Sequence, residues 1–285
     1  MRLSIIYDKL RFEEKELHEK ATNKGLATRL IDAKPLSFST DINKNNHLSS
    51  DVFLQRCISH FRGLYITSCL EYLNHIVINK YDVNEICGNK LRTSLVLAKS
   101  KIPSPTTYFA FSPESFKELA NNIGFPLVLK PLVGSWGRGV FPIRDEEILN
   151  IILETREEND SALSRIYYVQ EMIKRPPRDI RCIVAGDQII TAVYRYSAAG
   201  EWRTNVARGG HTGIAPITHD LEEIVIKAAT SVGGGILGVD VMEDEKQGLV
   251  VHEINSNVEF RGASQVSQVD IANSMIDYII SVYKK

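Results

Sequence analysis

VLKPLVGSWGRGV, residues 128–140, sets an apolar run ending in a lysine and a proline directly before a loop with three glycines. Gly134, Gly137 and Gly139 free the backbone to turn its N–H groups toward an anion. Ser135, Trp136 and Arg138 fill the loop between them. Lys130 ends the run, where a buried stem aims an ammonium at phosphate. The pattern is neither G-x-G-x-x-G nor G-x-x-x-x-G-K-[ST]. By itself the loop is as readily a flexible connection, so the rest of the chain has to decide.

The chain has 285 residues, of which 44% are apolar, enough for two or three subdomains around packed cores. Its formal net charge is −1. No global field draws it to nucleic acid or to an acidic membrane, so an anion site has to be local. Cys57, Cys69, Cys87 and Cys182 have no C-x-x-C spacing and read as reduced thiols of a cytoplasmic protein. The start, MRLSIIYDKLRFEEKE, turns charged too early for a signal peptide, and no apolar run reaches membrane-spanning length.

Outward from the loop, strands alternate with helices on the N-terminal side. Strands are expected at Leu3–Tyr7, Leu26–Ile31, Val52–Leu54 and Ile76–Ile78, and helices at Glu13–Lys24 and Tyr65–Leu73. The polar stretch 34–50 reads as loop. This alternation predicts a parallel α/β domain over 1–88. A central α+β piece over 89–173 holds a helix from Lys90, a helix that Ser112 caps and Pro113 opens, the strand Leu127–Lys130, a helix Glu146–Asn159 and a strand Ile166–Met172. After Arg175-Pro176-Pro177, a second α+β piece over 174–285 has a hairpin around Ala185-Gly186-Asp187. It continues with a helix Asp220–Val232, antiparallel strands Leu237–Met242 and Leu249–Ile254, and a last helix Ile271–Lys285.

Four further constellations could carry chemistry. In H-E-I-N (252–255), Glu253 and Asn255 share one strand face, and Asp240 lies in the preceding strand. Their oxygens suit Mg²⁺ rather than zinc, and they interrupt apolar strands, which favours a metal over a solvent-facing sheet. V-Q-E-M-I (169–173) breaks an apolar strand at Gln170 and Glu171, either to meet an adenine edge with Met172 and Ile173 or as an edge pair facing water. Asp179, Arg181, Arg195, Arg203, Asn205 and Arg208 gather fork-shaped donors for carboxylate or phosphate in one hairpin and loop. Arg56, His60 and Arg62 follow a parallel strand, where ligands often bind, and could take a substrate carboxylate; an ordinary loop is the alternative.

Taken in order, these residues resemble the ATP-grasp ligases. The match runs through Lys90, Lys130, the glycine loop, Gln170-Glu171, Asp179 to Arg181, Arg203-x-Asn205, Asp240 and Glu253-x-Asn255. R-T-N-V-A-R-G-G (203–210) and E-I-N are similar to the RimK-type branch. Y-D-K-L-R-F-E-E-K (7–15), L-Q-R-C-I-S-H-F-R (54–62), G-S-W-G-R (134–138) and N-V-E-F-R (257–261) resemble the carrier-protein ligases LysX and ArgX of lysine and arginine biosynthesis. The resemblance implies an ATP-grasp fold and a cytoplasmic enzyme. That enzyme would join the α-amino group of L-2-aminoadipate or L-glutamate to the C-terminal glutamate of a small acidic carrier, LysW, through an acylphosphate. ATP and Mg²⁺ are the implied cofactors, with phosphates under the loop, Lys90 and Lys130 on phosphate oxygens, Mg²⁺ at Asp240, Glu253 and Asn255, and Arg203 steadying the intermediate. Asn257, Glu259, Phe260, Gly262 and Ala263 join Arg56, His60 and Arg62 as substrate-side residues.

Gly262-Ala263 matches neither subgroup: LysX-like chains carry Asn then Thr or Ser there, ArgX-like chains Gly then Phe. An open wall at Ala263 would leave room for either amino acid. A homo-oligomer is expected, and a cluster of Arg175, Arg178, Arg203 and Arg208 is expected to steer the acidic carrier. The rivals are a RimK-like enzyme adding glutamate to a ribosomal protein or a cofactor tail, and a nucleotide-binding regulator without turnover.

Overall fold

The computed structural model describes residues 1–45, 48–157, 161–198 and 210–284. Arg203, Asn205 and Arg208 lie outside the described residues.

The first sheet is parallel, in the order β2 (Ala27–Asp32), β1 (Arg2–Tyr7), β3 (Val52–Gln55), β4 (Ile76–Ile78). β1 is buried at four consecutive positions, as expected of a parallel strand covered on both faces. Helix α1 (Phe12–Asn23) packs on it, and its first turn is closed by the Glu14 carboxylate accepting the Arg11 backbone N–H at 2.8 Å. Helix α2 (His60–Tyr72) starts five residues before the expected Tyr65, because the loop before it is folded around Asp8. Two helices follow, α3 (Tyr81–Gly88) and α4 (Lys90–Lys99). α3 gives too short a periodic run to be legible in sequence.

The second sheet is antiparallel, in the order β5 (Thr107–Ala110), β8 (Tyr167–Glu171), β6 (Leu127–Lys130), β7 (Phe141–Ile143), covered by α5 (Pro113–Ile123) and α6 (Glu146–Glu157). Ser112 caps α5, its hydroxyl accepting the Ser115 N–H at 3.1 Å. The β7 strand returns the glycine loop to the sheet and was not legible in sequence.

The third sheet is also antiparallel: β11 (His211–Ile214), β10 (Gln188–Tyr196), β9 (Arg178–Ala185), β12 (Ile236–Asp244), β13 (Gly248–Asn255). Helices α7 (His219–Ser231), a short α8 (Arg261–Ser264) and α9 (Ile271–Lys284) complete the chain.

Strand β9 explains how the pieces join. Ile180, Cys182 and Val184 enter a core with α3, α4 and α7, while Ile183 and Ala185 enter another with β1, β3, α1 and α9. The period of two sends alternate side chains into different cores. The N-terminal sheet therefore shares a core with the C-terminal sheet, and α3 and α4 belong by packing to the latter. The central piece, from Ala110 to Val169, has a core of its own, and so has the other face of the first sheet, with Ile6, Phe53, Leu70 and Val77.

Candidate active site

A cavity of about 350 Å³ opens between the second and third sheets. The strands of both sheets aim their ends into it. Lys130, last residue of β6, is 6% exposed, and its ammonium donates to the Gln170 side-chain oxygen and lies 3.3 Å from His252 Nδ1. Burial, with Lys90 and Arg175 nearby, pulls the Lys130 ammonium down to about 7 against the attraction of Glu253. Gln170 is buried at the cavity wall, and its amide nitrogen donates to Tyr168 and Thr107, so it orients Lys130. Glu171 is exposed and accepts the Tyr108 hydroxyl at 2.9 Å. Val128, Val140, Met172 and Met242 give the cavity an apolar slot, with Ile173 at its edge.

The opposite wall is a row of charges in cross-strand register. Asp179 faces Arg195, and Arg181 faces Asp240, which faces Glu253. Arg195 grips Asp179 at 2.7 and 2.8 Å and reaches Asp240 at 2.9 Å; Arg181 grips Asp240 at 2.7 Å through both nitrogens. Burial favours the neutral acid at Asp240, but Arg181 and Arg195 outweigh it and hold the group well below the usual carboxylate range. A bulge in the β12–β13 pairing skips one residue after Asp240, so His252 and Glu253 both reach the cavity where alternation would hide one. Burial and the neighbouring Lys130 push His252 well below its ordinary value.

Of the expected metal ligands, Asp240 has both oxygens engaged by arginines. Glu253 is partly exposed and paired with Lys90 at 3.0 Å, and the Asn255 amide nitrogen is buried without a partner. The side-chain oxygen of Asn255, not that nitrogen, would join the Glu253 carboxylate, two positions away on the strand, as a ligand pair for a hard cation.

The glycine loop covers the cavity mouth. Gly137 and Gly139 take φ of +65° and +68°, a region that costs glycine nothing. Lys90 donates to the Gly134 carbonyl at 2.8 Å and so bridges the loop to Glu253.

A second chamber of about 810 Å³ lies beyond the loop. Lys90, Gly134, Ser135, Trp136, Arg195 and Glu253 line both spaces. Of the expected substrate residues, His60 lines the chamber, half-buried over Gly88, where a Cβ would run into its imidazole. Arg56 does not: it is 2% exposed, bonded to Glu14 and to the Val258 carbonyl, beneath the floor. Arg62 points outward to Asp8 at 2.9 Å. Asn257, Glu259, Gly262 and Ala263 line the chamber, whereas Phe260 is buried in the shared core. Ala263 is only 4% exposed, so the expected open wall is a packed one. Arg178 is gripped by Glu243 at 2.8 and 3.0 Å, and Arg175 lines the first cavity, so these two do not form a free cationic patch. Sequence reasoning did not single out Arg11, Thr212 and His252; Arg11, inside Y-D-K-L-R-F-E-E-K, and His252, inside H-E-I-N, carried a signal, and Thr212 carried none.

Residues 3–86 match the LysX preATP-grasp domain and residues 87–279 match the RimK-like ATP-grasp domain. The chain belongs to the RimK-like ATP-grasp family. Within this ATP-grasp ligase family it is 35% identical over 277 residues to the alpha-aminoadipate–LysW ligase LysX of Sulfolobus acidocaldarius, covering 97% of this chain and 100% of that one. It is 34% identical over 285 residues to the glutamate–LysW ligase ArgX of the same organism, covering 99% of each. The ribosomal protein bS6–L-glutamate ligase of Escherichia coli is 32% identical, covering 93% of this chain and 90% of that one. Among solved structures, the RimK-domain ATP-grasp protein of Sphaerobacter thermophilus superposes with a TM-score of 0.77 at 24% identity, covering 98% of this chain and all of that one. That likeness bears on the fold.

Proposed function

We propose that the chain is an ATP-dependent carboxylate–amine ligase that joins the α-amino group of 2-aminoadipate or glutamate to the terminal carboxylate of a small carrier protein of the LysW type. The observation that carries this is the shared wall: the phosphate end of the smaller cavity and the larger chamber meet across Lys90, the glycine loop, Arg195 and Glu253. Adenine fits the apolar slot, and Lys90, Lys130 and the loop N–H groups face the phosphates. Glu253 and Asn255, with Asp240 once an arginine yields, would hold Mg²⁺, which supplies charge neutralisation during phosphoryl transfer. The chain's own residues then hold two reactants in line and exclude water, so no nucleophilic side chain is needed.

Choice between the two amino acids turns on a single methylene, about 1 kcal/mol. So small a difference supports acceptance of both amino acids with modest discrimination. The test is ADP release from purified enzyme with carrier and each amino acid, against ATP alone. Release that needs carrier and amino acid together supports the reading; release that ignores the carrier defeats it.

A further inference from the structure

Trp136 is the one bulky residue of the glycine loop, and it sits at φ +59°. A side chain of that size rarely adopts the left-handed region unless its surroundings hold it there. Two contacts do so. The Arg138 guanidinium lies 5.1 Å from the indole centroid, and the indole N–H donates to Glu259 Oε2 at 3.2 Å. The other Glu259 oxygen accepts from Arg11 at 2.9 Å. Arg11 is anchored in the N-terminal domain by Glu14, at 2.7 and 3.1 Å, and Glu14 in turn holds buried Arg56. Thus the loop tip, the segment after β13 and the start of α1 meet through one carboxylate. Lys90 pins the loop base, and Trp136 bonds across the chamber to the segment after β13.

We propose that Trp136, Glu259 and Arg11 form a latch that holds the glycine loop shut against the N-terminal domain and keeps water from the chamber while the amide forms. Glu259 and Arg11 are positioning residues: they act through Trp136. The proposal rests on the ligase reading for its chemistry. An acylphosphate reached by water is attacked at its carbonyl carbon by the water oxygen. The carbon–oxygen bond to phosphate breaks, phosphate leaves with the electron pair, and the water's protons pass to phosphate and solvent. The carboxylate is regenerated, and one ADP has been made with no amide. A working latch therefore shows in the ratio of ADP to amide, which a purely structural pair would not alter.

Two measurements test it. With Trp202→Phe as background, Trp136 is the remaining tryptophan, since the chain has two. Acrylamide quenching of its emission then reads the latch without any turnover. Glu259→Ala should raise the quenching constant, and Glu259→Gln, which keeps one acceptor oxygen, should lie between. In the full chain with Trp202 intact, Trp136→Phe keeps an aromatic ring but loses the indole N–H and the smaller ring that carries it. It should raise ADP released per amide about tenfold or more with L-glutamate and a purified LysW-type carrier, the shift expected when one hydrogen bond to a charged group is lost from a closed state. Unchanged quenching in Glu259→Ala overturns the latch. Changed quenching with an ADP-to-amide ratio still at one in Trp136→Phe overturns its role in excluding water. A wild type that makes no amide at all defeats the ligase reading and the water-exclusion role with it, while quenching still decides whether the latch exists.

Discussion

The two halves of the site are built in different ways. The nucleotide cavity is walled by strand residues in register: Asp179 opposite Arg195, Arg181 opposite Asp240, Asp240 opposite Glu253. Asp179, Arg195 and Asp240 are buried and paired with one another. The chamber adds to strand residues such as Arg181, Val193 and Thr212 several loop segments, joined by contacts such as Arg11–Glu259 and Trp136–Glu259. In the proposed reaction, rigid strands suit the half that would place phosphates, because a displacement there costs catalysis directly. Loops suit the half that would open for a carrier tail and an amino acid.

The strongest test of this difference is stability. Arg195→Ala leaves Asp179 without its grip and Asp240 with only Arg181, all within a buried sheet. The expected loss is about 3–5 kcal/mol in urea unfolding. Arg11→Ala, at the edge of the chamber, should cost clearly less; equal losses would erase the distinction between the halves.

Next in size is Glu253→Gln. Its partner Lys90 is partly exposed, so the fold should hold while turnover falls by about a hundredfold or more, the scale of losing one preorganised charge at a reacting centre. Full ligation by that variant would remove Glu253 from the metal and phosphate chemistry.

A smaller effect is a pH dependence confined to the strand-built half. Burial pulls the Lys130 pKa from its ordinary value of 10.5 down to about 7 in the folded chain. Between those values the unfolded chain binds more protons, so the ligand-free fold gains stability from this residue as pH rises through the window and loses it on the way down. Phosphate needs the ammonium, so ADP binding should weaken as pH rises above about 7, by up to roughly tenfold per unit. Titration calorimetry from pH 7.5 to 9 measures this. Lys130→Met should bind weakly with a flat profile; a sloping one would move the effect to another group.

The smallest effect belongs to the chamber. A Cβ at Gly262 would sit 3.4 Å from the Thr212 methyl, an ordinary contact, so Asn fits there. Gly262→Asn should shift the ratio of kcat/KM for aminoadipate over glutamate by about tenfold, near 1 kcal/mol. Ala263→Phe, suggested by sequence alone, is a worse probe: Ala263 is buried, and a ring there would overpack the shared core. An unchanged ratio in Gly262→Asn would place selectivity at His60 or the chamber rim.

Legibility followed the same division. Lys130, the glycine loop, Glu253-x-Asn255 and the hairpins could be read because a strand repeats every two residues and a turn needs its glycine, both local properties. Short elements such as α3, β7 and β11 could not, having too few residues to show a period.

Local spacing by itself determined which residues are strand-borne, which loop can cradle an anion, and that an ordered set of lysines, arginines and oxygen donors runs along the chain. Tertiary structure alone decided their fates. Arg56 went under the floor to Glu14, Arg62 outward to Asp8, Asp240 between two arginines, and Arg11 became the anchor of a carboxylate 248 positions away. The physical reason is that a guanidinium takes whichever carboxylate the packed cores bring within 3 Å or so. Which one arrives depends on how β9 feeds two cores at once, and no spacing within a segment encodes that.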